Sequence, residues 1–364
     1  MKGSKVLSKK GTKDPKAILI TGGAGFVASN VLRYLWDRYP TAKFHVLDAL
    51  TYAGDIRNIP DEIHKSARFK FWYGDIRNVK LVDDLVSRCD VVLHFAAETH
   101  VARSIYDDIK FFETDVLGTQ AIAHAVLHHK KVVKRFVHIS TSEVYGSARG
   151  NKKMDETHPL EPQSPYAAAK AGADRLVYSY ITTYGIPAVI IRPFNLYGPN
   201  QHLEKLIPRF ITSVLLEEPM TIHGTGTSER DFTYASDLAS AIALVIEAPD
   251  DLVVGEVFNV GNDRASSVLE IANIIKRVLP PRLEKKPTFT DYTMNIGDRP
   301  GQVFRHISDT SKIRKVLAWK PEVPLEKGIE MTIDWYMANR PWWEGKIWMR
   351  HVEIVTPDGK KELH

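Results

Sequence analysis

Short runs of consecutive apolar residues recur along the first half of the chain, separated by longer stretches with helical spacing. The runs are Ala17-Ile18-Leu19-Ile20, Phe44-His45-Val46-Leu47, Phe69 to Tyr73, Val91-Val92-Leu93-His94-Phe95, Arg135 to Ile139 and Ala188-Val189-Ile190-Ile191. An unbroken apolar run of this length is what a strand buried on both faces needs. Helical patterns run through about Tyr39, from roughly Asp108 to His129, and from Pro165 to Tyr184. Strands alternating with helices predict an α/β fold, a doubly wound parallel sheet covered on both faces. From about Asn200 the pattern loosens, and turn signals such as Gly224-Thr225-Gly226 and Pro280-Pro281 separate short pieces. This predicts a smaller lobe over the carboxyl edge of the sheet, with Val257-Phe258-Asn259-Val260 returning to the larger one.

The first run leads into Thr21-Gly22-Gly23-Ala24-Gly25-Phe26-Val27-Ala28. Gly22-x-x-Gly25-x-x-Ala28, placed between a strand and a helix, is a dinucleotide fingerprint. Its glycines let backbone approach a pyrophosphate, and the helix N-terminus favours that anion. Asp48 ends the second strand about twenty residues on, where an acid accepts from the ribose hydroxyls. An acid there repels a 2′-phosphate, so NAD is expected rather than NADP. Phe26, Val27, Asp75, Ile76 and Ala96 are the further cofactor-side candidates.

Composition narrows the class. The 364 residues, 44% hydrophobic and 26% charged, suit a water-soluble globular chain. Much of the net charge of +5 sits in residues 1–16, which read as a solvated disordered tail without the apolar core of a signal peptide. No run of apolar residues is long enough to span a membrane. The single cysteine, Cys89, allows no internal disulfide and fits a reducing compartment. The expectation is a cytoplasmic protein with neither a membrane nor a nucleic acid as partner. No cluster has metal-ligand spacing, so no metal is expected. The expected division is residues 17–199, with returning segments at about 231–262, as the dinucleotide domain. Residues 200–340 form the substrate lobe and 341–364 a C-terminal extension.

Chemistry concentrates in Ser140-Thr141-Ser142-Glu143-Val144-Tyr145-Gly146 and in Tyr166-Ala167-Ala168-Ala169-Lys170. Tyr and Lys four apart on a helix share a face, and a nearby ammonium favours the phenolate needed for base catalysis. Thr141 and Glu143, at a strand's carboxyl end, are placed to enter the same crevice. His94 lies inside an apolar run and reads as a satisfied strand histidine rather than a ligand. Lys205 and Arg209 read as a solvated face.

These motifs, with Thr51-Tyr52-Ala53-Gly54, His94 to Val101, Arg192 to Pro199, Arg230-Asp231-Phe232 and Asp298-Arg299-Pro300-Gly301, run in one order over nearly the whole chain. In that order the chain resembles an extended short-chain dehydrogenase/reductase, specifically a nucleotide-sugar 4,6-dehydratase of the dTDP-glucose type. The resemblance implies that Tyr166 removes the 4-hydroxyl proton as hydride leaves carbon 4 for NAD, with Lys170 on the cofactor ribose and Thr141 on the same oxygen. Glu143 then takes the carbon 5 proton, water leaves carbon 6, and the hydride returns there. Arg230 and Arg299 are the candidates for the diphosphate, which guanidinium groups match bidentately. Asn195 resembles the family residue that meets the pyrophosphate or the sugar, and Glu98 and His100 are candidates to touch the hexose. The helices at 108–129 and 165–184 resemble a homodimer interface. Two positions depart from the dTDP-glucose pattern: Ser142 stands where an Asp acid is usual, and Ala102 replaces another Asp. A UDP-glucuronate decarboxylase or a 4-epimerase therefore remains an alternative, as does a non-catalytic NAD-binding protein. Glu143 argues for elimination over epimerisation.

Overall fold

A computed structural model describes residues 14–105, 107–148, 150, 152–284, 291–297, 303–350, 353–355 and 361–363. The basic stretch 1–13 and Arg299 lie outside the described residues.

The apolar runs become the central strands. They are β1 (Ala17–Thr21), β2 (Lys43–Asp48), β3 (Phe69–Tyr73), β4 (Val91–His94), β5 (Arg135–Ile139), β6 (Ala188–Pro193) and β7 (Val257–Val260). All are parallel, in the order β7-β6-β5-β4-β1-β2-β3. The return of residues 257–260 to the main sheet is as expected. The order reverses between β1 and β4, so a crevice opens at their carboxyl ends, where doubly wound sheets bind ligands.

Among the described residues the longer helices that build the cores and frame the crevice are α1 (Phe26–Arg38), α2 (Val79–Ser87), α3 (Thr119–His128), α4 (Pro165–Tyr184), α5 (Leu206–Leu215), α6 (Ala235–Glu247), α7 (Val268–Val278) and α8 (Leu325–Ala338). Alternate strand residues feed two cores. Ile18, Ile20, Val46 and Leu93 pack with α1 and α6 through Leu32 and Leu238. Leu19, Leu47, Val92 and Phe136 pack on the opposite face with α2, α3 and α4 through Val82, Ile122 and Val177. A third core joins α5, α7 and α8 around Phe210, Ile271 and Ile333, and it includes Trp342 and Trp343.

Helix α4 spans the residues expected of it. Ser164 caps its start by accepting from the Ala167 N–H at 3.1 Å, and Gly185 ends it at φ +61°. The stretch from Asp108 to His129 differs from expectation. A wide π-helical segment, Phe112–Gly118, interrupts it. The Thr119 hydroxyl donates to the Asp115 carbonyl at 2.5 Å, and a Cβ on Gly118 would meet Ile76 Cδ1 at 2.3 Å. The wide turn thus sets Asp115 inward and lets the helix approach Ile76, an effect that hydrophobic spacing cannot announce.

Behind the crevice lies a buried charged pair. Arg192 donates to both oxygens of Asp174 at 2.9 and 3.0 Å, and also to the Tyr145 hydroxyl at 2.9 Å. Burial alone would raise the Asp174 pKa, but the hydrogen bonds and charge of Arg192 hold it well below the usual carboxylate range. Its contribution to stability is present above the ordinary aspartate pKa and is lost as pH falls through the lowered one. Asp174→Ala leaves the Arg192 guanidinium buried without its carboxylate, with an expected loss of roughly 3–5 kcal/mol in urea unfolding.

Candidate active site

One cleft of about 550 Å³ runs along the carboxyl ends of the strands and continues under the smaller lobe. Gly22, Gly25, Asp48, Asp75 and Ala96 line one end, and Asn195, Lys205 and Arg230 line the other. Thr141, Ser142, Glu143, Tyr166 and Lys170 line it between them. The motifs separated in sequence are therefore brought together.

The dinucleotide end is built for close backbone approach. Gly22 has φ +68°, and a Cβ there would sit 2.7 Å from the Ala96 nitrogen. Among the described residues no side chain caps the N-terminus of α1, so its first N–H groups, at Phe26 and Val27, face the cleft available to an anion. Asp48 is buried, accepting from the Ala24 N–H at 2.9 Å and the Leu50 N–H at 2.8 Å. Each oxygen keeps a lone pair for a hydroxyl. The shape and donor set fit NAD. Asp75 lines the cleft but is tied to Arg77 at 2.8 Å, while Ile76 packs beside it.

At the centre, β5 ends on Ile139, and Ser142–Tyr145 form a tight turn that Thr141 caps by accepting from the Glu143 N–H at 3.2 Å. Glu143 reaches the cleft, and Ser142 is buried beside it. Tyr166, in the first turn of α4, is half-buried with its ring edge-on to Phe111 at 6.1 Å. One turn on, Lys170 is buried and donates to the Ile139 carbonyl at 2.8 Å. The expected activation of the tyrosine by its lysine needs correction for the protein alone. Burial, then the charges of Asp115 and Glu143, push the Tyr166 pKa above its ordinary value, with only the Thr141 hydroxyl opposing. Burial also lowers the Lys170 pKa, against Asp115 and Asp174.

His94 is the satisfied strand histidine expected. Its ring nitrogens meet the hydroxyls of Thr21 at 2.7 Å and Thr119 at 3.0 Å, and burial lowers its pKa to about 3. Glu98 pairs with Lys110 at 3.2 Å and His100 lies 3.8 Å from Glu204. Asn195 lines the cleft with a buried side-chain oxygen that has no partner among the described residues, as a ligand contact requires. Arg209 overturns its reading as a solvated residue. It is buried in α5 and donates to Thr221 at 2.7 Å, because the face of α5 on which it lies is covered by the strand at 220–223.

Three residues were not found by sequence reasoning. Asp115 is buried near Lys170, with one oxygen on the Glu98 N–H at 2.7 Å and the other without a partner among the described residues, and burial pushes its pKa up to about 7. His306 is fully buried, bonded to the Gly146 carbonyl at 2.6 Å, with its other nitrogen 3.7 Å from Glu143. Glu204 lines the cleft between His100, Arg103 and His202, and burial raises its pKa. None lies in a local pattern; only the folded chain brings them in.

A doubly wound parallel sheet with a glycine-rich turn, a buried ribose acid and a Tyr/Lys pair defines an NAD-type short-chain dehydrogenase/reductase. Residues 19–332 match the family model described as GDP-mannose 4,6 dehydratase, and the chain belongs to that family. It is 40% identical over 331 residues to a dTDP-glucose 4,6-dehydratase of Streptomyces niveus, covering 90% of this chain and 94% of that one. It is 39% identical over 362 residues to an Arabidopsis thaliana trifunctional UDP-glucose 4,6-dehydratase/3,5-epimerase/reductase, covering 96% of this chain and 52% of that protein. The chain thus spans about half the length of that relative. The crystal structure of the dTDP-glucose 4,6-dehydratase DesIV from Streptomyces venezuelae, with NAD bound, superposes with a TM-score of 0.83 at 37% identity. That match covers 90% of this chain and 99% of the other. Among the described residues no helix is long and apolar enough to cross a membrane.

Proposed function

We propose that the protein is an NAD-dependent nucleotide-sugar 4,6-dehydratase, converting an NDP-hexose to the NDP-4-keto-6-deoxyhexose. Its substrate class is dTDP-glucose, UDP-glucose or UDP-N-acetylglucosamine. The observation that carries this reading is the meeting of Thr141, Glu143, Tyr166 and Lys170 in one cleft that is continuous with the dinucleotide cradle. Residues 17–199, with 231–262, hold the cofactor, and the lobe at 200–340 holds the nucleotide-sugar.

When bound, NAD would supply the hydride acceptor for carbon 4 and the hydride donor for carbon 6. Tyr166 takes the proton of the 4-hydroxyl, while the Thr141 hydroxyl hydrogen-bonds the same oxygen. Lys170, fixed by the Ile139 carbonyl, keeps its remaining N–H groups for the cofactor ribose. The new 4-ketone acidifies the carbon 5 proton, which Glu143 removes. Glu143 then returns that proton to the departing 6-hydroxyl, which leaves as water while the buried Ser142 hydroxyl orients it. Carbon 6 takes back the hydride, carbon 5 takes a proton from water, and the proton held by Tyr166 passes to solvent. Arg230 and Arg299 are assigned to the diphosphate, which guanidinium groups match bidentately, and Asn195 to the pyrophosphate or the sugar. Glu98 and His100 contact the hexose.

Ile109, Phe112, Leu117 and Tyr178, exposed along 108–118 and α4, support a homodimer through these helices. Asp48→Asn removes the ribose-binding charge and is expected to weaken NAD binding by roughly ten- to a hundredfold in a calorimetric titration. The function is tested with a substrate deuterated at carbon 4. The label is expected at carbon 6 of the product, and a product with none there contradicts the reading.

A further inference from the structure

After α8 the chain forms a helical turn, Arg340–Trp343, and a 3-10 segment, Glu344–Arg350. Both ends of this segment are fixed to the smaller lobe. Trp343, fully buried, donates from its indole to the Tyr336 carbonyl at 2.8 Å. Arg350, also buried, reaches Glu218 and the Ser213 hydroxyl, each at 2.6 Å.

Between these anchors it touches the cofactor side. The Trp342 indole N–H donates to Asn58 Oδ1 at 2.9 Å. Lys346 Nζ lies 2.6 Å from Asp55 Oδ2 and 3.7 Å from the centre of the Trp342 ring. Asp55 and Asn58 in turn both close on one atom of the dinucleotide turn, the Ala24 carbonyl. The Asp55 N–H donates to it at 3.0 Å and Asn58 Nδ2 at 2.7 Å. The Ala24 N–H is the donor to Asp48. Asn58 Oδ1 accepts from Asn200 as well as Trp342, so its amide nitrogen must face Ala24. A flipped amide would set oxygen against oxygen there.

We propose that Arg340–Arg350 is a positioning element for the dinucleotide, in which Trp342 and Lys346 hold Asn58 and Asp55, and these hold the Gly22–Gly25 turn in its pyrophosphate-binding conformation. The proposal rests on the NAD reading above. A turn held in its bound form loses less freedom on binding, so this contact is realised as slower cofactor release. It also ties retention of the cofactor to the lobe that receives the sugar.

The test uses nucleotide-depleted full-length protein, titrated with NAD and followed for NAD release after displacement. Trp342→Phe combined with Lys346→Met is expected to weaken binding about tenfold through faster release. Turnover at saturating NAD should stay within about twofold of the parent. Trp342→Phe combined with Lys346→Arg, which keeps the charge, should recover part of the loss. Trp348→Ala, at a residue 68% exposed, should change neither quantity. Parental binding and release in the double variant would overturn the proposal, as would lost turnover at saturating NAD with binding intact. Should the double variant fail to fold, Lys346→Met alone decides by the same two readings. A parent that binds no NAD would overturn the functional reading itself.

Discussion

Tyr166→Phe is expected to abolish reduction of bound NAD on mixing with the nucleotide-sugar and to lower turnover by roughly a hundred- to ten-thousandfold. The substitution keeps the ring against Phe111 and removes only the phenolic oxygen, which in the proposed mechanism takes the proton as the phenolate. Burial and the neighbouring carboxylates hold the phenol protonated at neutral pH in the protein alone. A base with a raised pKa gains its active form as pH rises, so the rate of carbon 4 oxidation should increase with pH through the alkaline range. Asp115 is one of the two carboxylates that raise it. Asp115→Asn should therefore shift that rise to lower pH, as read from single-turnover rates against pH. A Tyr166→Phe protein that reduces NAD at the parental rate would remove Tyr166 from the chemistry.

Glu143→Gln separates the two halves of the reaction. Glutamine preserves the size of the side chain but cannot take a proton, so oxidation at carbon 4 remains possible while elimination stops. The expected result is a 4-keto hexose nucleotide that keeps its 6-hydroxyl, with deoxy product reduced by about 10²–10⁴. The measurement is a quenched single turnover, with the sugar nucleotides separated by mass. Product formed at the parental rate would show that another group is the base. Because Ser142 cannot act as a strong acid, Glu143 carries both proton transfers in the proposed mechanism. The Glu143 variant should therefore be more damaging than Ser142→Ala, which removes only orientation.

The parts of the molecule legible in the sequence are those whose physics is local. Phe69–Tyr73, Arg135–Ile139, Val257–Val260 and Pro165–Tyr184 have the bounds that apolar runs and helical composition assigned them. Gly22, Asp48, Tyr166 and Lys170 were readable because each sits at a fixed offset from a strand or on one helix face. Asp115 was hidden because a π-helical turn, which has no sequence period of its own, carries it inward. His306 and Glu204 come from distant segments and meet Glu143 and His100 only in the folded chain. Arg209 was misread for a related reason: a charged residue is ordinarily solvated, and its burial depends on Thr221, twelve residues further along.

The central claim is that water is lost from carbon 6 of a hexose nucleotide. It is tested most directly by mass spectrometry of the products after incubation with dTDP-glucose, UDP-glucose, UDP-N-acetylglucosamine, GDP-mannose and UDP-glucuronate. The expected result is loss of one water from a glucose or N-acetylglucosamine nucleotide, with no added reductant. Loss of carbon dioxide from UDP-glucuronate, with every hexose nucleotide unchanged, would contradict that claim and make Ser142 the mark of a decarboxylase.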